Sequence, residues 1–482
     1  MPRPLELNRC QKCRSARVKC DGRRPRCGRC ERGGRDCHWI KAASSTSPPH
    51  TPSQPSHRGT DYTSTQNPGI ALQDPLVAKI FRHYIDKLAG WYDLNDSRRH
   101  FIDVVPVRAR YNPLLLSAIL AFAAAHQHRT LGEDEYLEIA EFYHYDSVRC
   151  LISLTRNVDE LPIGESLAAI CLLRSYEIIT QNVSSQSHLQ GCYSILANRH
   201  VHLTTDLLSA GFWNYLREDI TASLIEHRSL MIDLSSQQIS LDAGEEGQGD
   251  DADHANRVTF LLGKVINRCL AVDSPALTFE EWEVMKAELN NWKNSLPPSF
   301  EPIRTPGLRK GVAFPQIWTI RDWHGTLILR FIPSCLSPLS LLQWLLPNVK
   351  LLRRPVRCPV FFFLLNFTVS SLHYYHTAMS ILWLAEPQPE PLNSFQRASN
   401  MKSLRSRLDY HATEVCALAI SSDSAAVWVN AFGPIAFCGP WLQDSAKRKE
   451  IKGDSEKWAK MTGWPVSTTL DALAGSPLGT DQ

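Results

Sequence analysis

The chain is 482 residues long, 43% hydrophobic and 21% charged, and its 52 Lys and Arg against 49 Asp and Glu give a net charge of +3. Those proportions are ordinary for a soluble globular protein and exclude a chain too polar to bury a core, while the length allows a small module plus one or two large domains. The near-neutral total hides an asymmetry: residues 1–40 hold 12 Lys and Arg against 4 Asp and Glu, a net of +8, which leaves −5 for everything after them.

That charge lies on a cysteine repeat. Cys10, Cys13, Cys20, Cys27, Cys30 and Cys37 follow the spacing C-x2-C-x6-C-x6-C-x2-C-x6-C, in which the second three repeat the first three at an offset of 17 residues. Two thiolates with two residues between them can grip one zinc ion from a single turn, and a third can fold back to it after a short helix. Each half is one ligand short of a tetrahedron. Two zinc ions therefore need eight positions filled by six thiolates, and two sulfurs must bridge; the symmetric choice is Cys10 and Cys27. Such a site leaves no open position for water and is structural, not catalytic. A disulfide framework fits less well, because the stretch before Cys10 has no apolar signal-peptide core and disulfides are rare in reducing compartments. A RING-like or LIM-like module needs eight ligands, and nothing near His38 supplies the other two.

With the run Arg14 to Asp21 and the loop proline Pro25, residues 10–37 resemble the DNA-binding domain of the fungal Zn2Cys6 binuclear-cluster transcription factors. The resemblance implies double-stranded DNA as partner, two zinc ions per chain and a short helix entering the major groove, where a basic residue three places before the third cysteine reads a CGG triplet. That residue is Arg17 here, which offers two donors to guanine O6 and N7. Arg14, Lys19 and Arg23 are the candidates for phosphate contacts, which set register without reading sequence. Ala16 stands where some relatives carry a second base-reading lysine. A nuclear location follows, and Arg23-Arg24-Pro25-Arg26 offers a short basic import signal.

Residues 41–73 are rich in Ser, Thr, Pro, His and Gln and read as a disordered linker. No heptad repeat appears there, so a dimer, if formed, is expected to use the helical region. From 74 to 465 the pattern is helical. Apolar residues recur at three- and four-residue steps over 74–90, 112–128, 135–156, 165–181, 187–199, 211–234, 256–271 and, as Phe279, Trp282, Met285, Leu289, Trp292 and Leu296, over 279–296. Strand alternation is nearly absent, so the expected fold is mainly α: a small zinc module, a flexible linker and a large all-α helical array. Asp242 to Asp253 reads as a solvated acidic loop. Residues 331–372 contain no Asp or Glu and are expected to be an insertion, translated intron sequence, that packs poorly; its apolar run is too short to span a bilayer, so no membrane is implied. Residues 466–482 are expected to be a disordered tail.

The helical region resembles the fungal-specific transcription factor domain, through Trp91 to Phe101, Asn112-Pro113-Leu114-Leu115-Leu116, Tyr374 to Met379, Asn430 to Pro434 and Thr462 to Pro465. In that family the domain is regulatory. The expected function is sequence-specific regulation of RNA polymerase II genes, with the transcription machinery as further partner; the alternative is a zinc-stapled scaffold binding acidic proteins or RNA without base specificity. An enzyme is not expected. His126, His128, His324, His373 and His376 are present without an H-E-x-x-H, G-x-S-x-G, phosphate-loop or dinucleotide motif. His373 and His376 are expected to be packed core residues.

Overall fold

Asn112 and Pro113 begin the helix around which the larger part of the molecule is built. The Asn112 side chain accepts the Leu115 amide at 3.1 Å, proline occupies the first turn, where its missing N–H costs nothing, and Gly132 closes the helix at φ 77°. Between them Leu114 to Gln127 are buried on every face, as the Leu/Ala-rich pattern predicts.

The computed structural model describes residues 27–32, 62–154, 162–181, 185–197, 201–203, 206–234, 239–241, 251–272, 274–305, 312–319, 366–388 and 391–475. Two compact units divide the chain, Met1–Asp61 and Tyr62–Gln482. In the first, the described residues form the short helix α1, Gly28–Arg32. The second is mainly α, and no helix among the described residues is long and apolar enough to cross a membrane.

The second unit runs in chain order through α2 (Pro68–Ala71), α3 (Pro75–His83), α4 (Val105–Ala109), α5 (Pro113–Leu131), α6 (Glu135–Leu154), α7 (Ile163–Thr180) and α8 (Ser187–Leu196). It continues through β1 (Val201–Leu203), α9 (Leu207–Glu226), β2 (Ile239–Leu241), α10 (Asp251–Cys269) and α11 (Phe279–Ser295). After β3 (Pro302–Thr305) and β4 (Gln316–Thr319) come α12 (Asn366–Leu384), α13 (Ser394–Ile420), α14 (Ala425–Cys438), α15 (Ser445–Thr462) and α16 (Ser467–Ala474). The strands form two isolated pairs, β1 parallel to β2 and β3 antiparallel to β4. Helix α5 packs against α6 and α7, while α12 packs between α10 and α13. The apolar α14 meets α9, α12 and α13. Gly433 permits the first of these contacts, because a Cβ there would lie 3.0 Å from the Thr221 Cα.

Helix α11 shows how the sequence pattern becomes packing. Thr278 and Glu281 close a capping box, which fixes the start. Trp282, Leu289 and Trp292 are buried; the Trp282 indole N–H donates to the Leu382 carbonyl of α12 at 2.8 Å and that of Trp292 to the His254 carbonyl of α10 at 2.9 Å. Phe279, expected on the same seam, is 61% exposed because it stands at the first helical position, where the chain is still entering the fold. Replacing Trp282 with alanine removes a large buried side chain and leaves the Leu382 carbonyl without that donor. It should destabilise the unit by about 3–5 kcal/mol, read as a fall in the urea midpoint followed by far-UV circular dichroism.

Four boundaries differ from expectation. The linker gives way to packed structure at Tyr62, not at 74: Thr65 is buried, and Tyr143 of α6 donates to the Thr63 carbonyl at 3.1 Å. Hydrogen bonds, together with the burial of Ala71 and the packing of Tyr62 and Leu72 on the core, order this Ser/Thr-rich stretch. The expected acidic loop ends early, since Asp251 opens α10, and 242–250 lie outside the described residues. Residues 366–372 of the supposed insertion belong to α12, where Val369 and Leu372 are buried and the Ser370 hydroxyl donates to Asn95 Oδ1 at 2.8 Å. Its remainder, 331–365, lies outside the described residues. The expected tail begins with helix α16, which buries Thr469 and Leu473, and 476–482 again lie outside.

Candidate nucleic-acid interface and buried polar sites

In the N-terminal unit Cys27 precedes α1 and its carbonyl accepts the Glu31 amide at 3.0 Å, the bond that opens the helix. Cys30 follows on the first turn. Residues three apart on a helix share a face, and both cysteines are buried, 0% and 2% exposed, while Glu31 and Arg32 face solvent. Two inward-facing sulfurs on one turn suit a soft, tetrahedral ion such as zinc, which takes thiolate ligands in place of water. The other proposed ligands, Cys10, Cys13, Cys20 and Cys37, and the proposed DNA contacts Arg14, Arg17, Lys19 and Arg23 lie outside the described residues.

The larger unit buries several charged and polar side chains, Arg174, Glu177 and Arg217 among them. A small cavity is lined by Trp91, Tyr92, Asn214, Arg217, Asn430 and Trp464, so three of the segments that carry the sequence resemblance meet there. Buried Arg217 donates from one guanidinium nitrogen to the Tyr92 carbonyl at 3.0 Å and to Asn214 Oδ1 at 2.7 Å. Burial lowers its pKa, and burial raises that of Glu218 beside it. Nearby, Arg174 is paired with Glu177 at 3.0 Å.

Three imidazole pairs each join two helices. His83 Nε2 lies 3.0 Å from His126 Nδ1 between α3 and α5, His144 Nε2 lies 3.0 Å from His188 Nε2 between α6 and α8, and His376 Nδ1 lies 2.9 Å from His411 Nδ1 between α12 and α13. Such a contact is a hydrogen bond when one nitrogen carries a proton and the other does not. Desolvation holds His126 down at about 3 and His144 and His411 at about 4, and it puts His376 well below its usual value. His373 is also buried and is lowered to about 4 by burial. Both His373 and His376 are thus packed core residues; among the described residues no cluster of three or more His, Cys, Asp or Glu could hold a metal ion. His324 lies outside them. The pairing partners sit 35 to 44 residues apart, so no local spacing announces them.

Of the scattered cysteines, Cys171, Cys192, Cys416 and Cys438 are buried thiols and Cys150 and Cys269 are half-buried.

Comparison with known proteins gives a match to the fungal Zn(2)-Cys(6) binuclear cluster domain over residues 9–47 and to the fungal specific transcription factor domain over residues 79–263. The second match stops short of the segments at Tyr374, Asn430 and Thr462. A curated relative, the sorbicillinoid biosynthetic cluster transcription factor sor3 of Hypocrea jecorina (strain QM6a), is 53% identical over 34 residues, which is 7% of this chain and 5% of the relative. No solved structure matches.

Proposed function

Given that the chain is a fungal Zn2Cys6 transcription factor, a DNA-binding, zinc-binding regulator and not an enzyme, we propose that its N-terminal module reads CGG-type half-sites in the promoters of RNA polymerase II genes. The observation that carries this reading is the burial of Cys27 and Cys30 on one helical turn, inside a segment whose net charge is +8. Cys10, Cys13, Cys20, Cys27, Cys30 and Cys37 hold two zinc ions between them, with Cys10 and Cys27 each shared. The metal supplies cross-links to a segment too short to bury a core of its own.

On that frame Arg17 donates to a guanine, and Arg14, Lys19 and Arg23 neutralise phosphates. The helical unit is the regulatory part, the site of any homodimer and the part that engages the transcription machinery. A nuclear location follows from DNA as partner.

Arg17→Ala tests the reading. Each good bidentate contact is worth about 1–3 kcal/mol of discrimination. Affinity for a CGG duplex should therefore fall by roughly 5- to 150-fold, to that for a duplex without the triplet, while the salt dependence of the residual binding stays nearly unchanged. Equal affinity of the unaltered chain for both duplexes would instead favour a scaffold that binds anionic partners without base specificity.

A further inference from the structure

Helix α13 is 27 residues long, and only its second half joins the core, through Leu408, Ala412, Val415, Cys416 and neighbouring residues. From Asn393 to Ser403 every residue is exposed. Three turns of helix with solvent on all sides are marginal in water unless side-chain pairs support them. Here the start is fixed by a capping box: the Gln396 amide donates to Asn393 Oδ1 at 2.8 Å and the Asn393 amide to Gln396 Oε1 at 3.0 Å. No ion pair within the half-helix follows it, because no Asp or Glu occurs between Asn393 and Leu408. Arg407 reaches Glu386 at 3.3 Å and lies over the Trp383 ring. Arg397, Lys402 and Arg405 form no salt bridge with any described residue.

Arg397, Met401 and Arg405 follow one another at four-residue steps and so lie along one face, with Lys402 beside them and about 12 Å of helix from first to last. Phe395 is 83% exposed at the start of the helix and Met401 is 43% exposed.

We propose that this projecting half-helix is a docking surface for an acidic, apolar-bearing segment of a partner protein. Charge argues for it. The four cations between Arg397 and Arg407 stand on a stretch of helix with no Asp or Glu from Asn393 to Leu408, a local positive face that an acidic partner segment would complement. Against DNA as the occupant stand the exposed apolar side chains Phe395 and Met401 on the same turns, which phosphates would leave uncovered. Two copies of the helix repel one another, so self-pairing through this face is opposed as well. The exposed Phe395 and Met401 give a partner's apolar side chains something to cover, which a nucleic-acid backbone does not need. The assignment stands apart from the reading of the cysteine module.

The test uses the full chain and a fluorescein-labelled 20-residue peptide that alternates Asp or Glu with Leu or Phe, followed by anisotropy. Saturable binding is expected, weakening with salt. The triple variant Arg397→Glu, Lys402→Glu, Arg405→Glu should weaken it by about tenfold or more, and Phe395→Ala with Met401→Ala by about fivefold. Helical content and affinity for a CGG duplex should stay unchanged, since the altered side chains are on the surface. Equal peptide binding by the charge-reversed chain overturns the assignment. So does a loss of duplex affinity in that variant, which would put the helix on DNA, or a loss of self-association in sedimentation without any loss of peptide binding.

Discussion

Cys27→Ser in the full chain should lower specific binding to a CGG duplex by more than about 100-fold and leave the helical far-UV signal essentially intact. Both halves of that expectation come from where the chain buries its residues. A segment of some forty residues is too short to bury a sufficient core of its own, and in the proposed arrangement Cys27 serves both zinc ions, so its loss removes a ligand from each at once. A structural zinc site supplies folding free energy on the order of 10 kcal/mol, more than a module of some forty residues can replace. The second unit draws its stability from its own core, running from Ala71 to Leu473, and has no need of the metal. Native mass spectrometry should find two zinc ions on the unaltered chain and at most one on the variant, with anisotropy reporting the duplex. Cys171→Ser, in the other unit, serves as control and should change neither. Retained duplex binding by the Cys27 variant would separate base reading from the metal and remove the basis of the proposed function.

What the sequence announced and what it hid follow from the range of the interactions concerned. Asn112-Pro113, Gly132, Thr278 and Glu281 act on their own turns of chain, and the helices they bound are found where periodicity puts them. The Ser/Thr/Pro stretch lies outside the described residues as far as Asp61. Beyond it the burial of Thr65 depends on Ser117, 52 residues away, and composition carries no trace of that contact. Residues 366–372 looked like the end of an acid-free insertion, yet their place is set by Asn95, 275 residues earlier. For the site, the cysteine spacing marks Cys27 and Cys30 as a pair of proposed ligands, and both are buried at the start of α1. The expectation of core positions for His373 and His376 also holds. Their partners were not legible, because His411 and Glu414 reach His376 from another helix, and nothing in the Tyr374-Tyr-His-Thr-Ala-Met stretch points to them.

Those imidazole pairs make the helical unit sensitive to acid. A histidine buried in neutral form has its folded pKa depressed below the ordinary 6.5, so above pH 6.5 neither state binds the proton and stability is complete. As the pH falls below 6.5 the unfolded chain takes up protons that the folded chain refuses, and stability is lost until the folded value, about 3 to 4 here, is reached. At pH 5 the loss approaches about 2 kcal/mol for each fully buried imidazole. His126, His373, His376 and His411, all less than a tenth exposed, then cost on the order of 5–8 kcal/mol together, as much as many domains possess. Neighbouring charges act in both directions: Lys293 and Arg304 further depress His376, while Glu177 partly restores His188. Buried carboxyls oppose the trend, since desolvation raises Asp93 and Asp219 and their protonation relieves the folded state as the pH drops. A difference measurement cancels them. Urea unfolding of the full chain followed by far-UV circular dichroism, compared with the double variant His376→Gln, His411→Gln, should find the variant less stable at pH 7.5. Between pH 7.5 and 5 the gap should shift in favour of the variant by about 4 kcal/mol, because glutamine has no proton to refuse. A gap that stays constant across that range would mean that the pair accepts its protons in the folded chain.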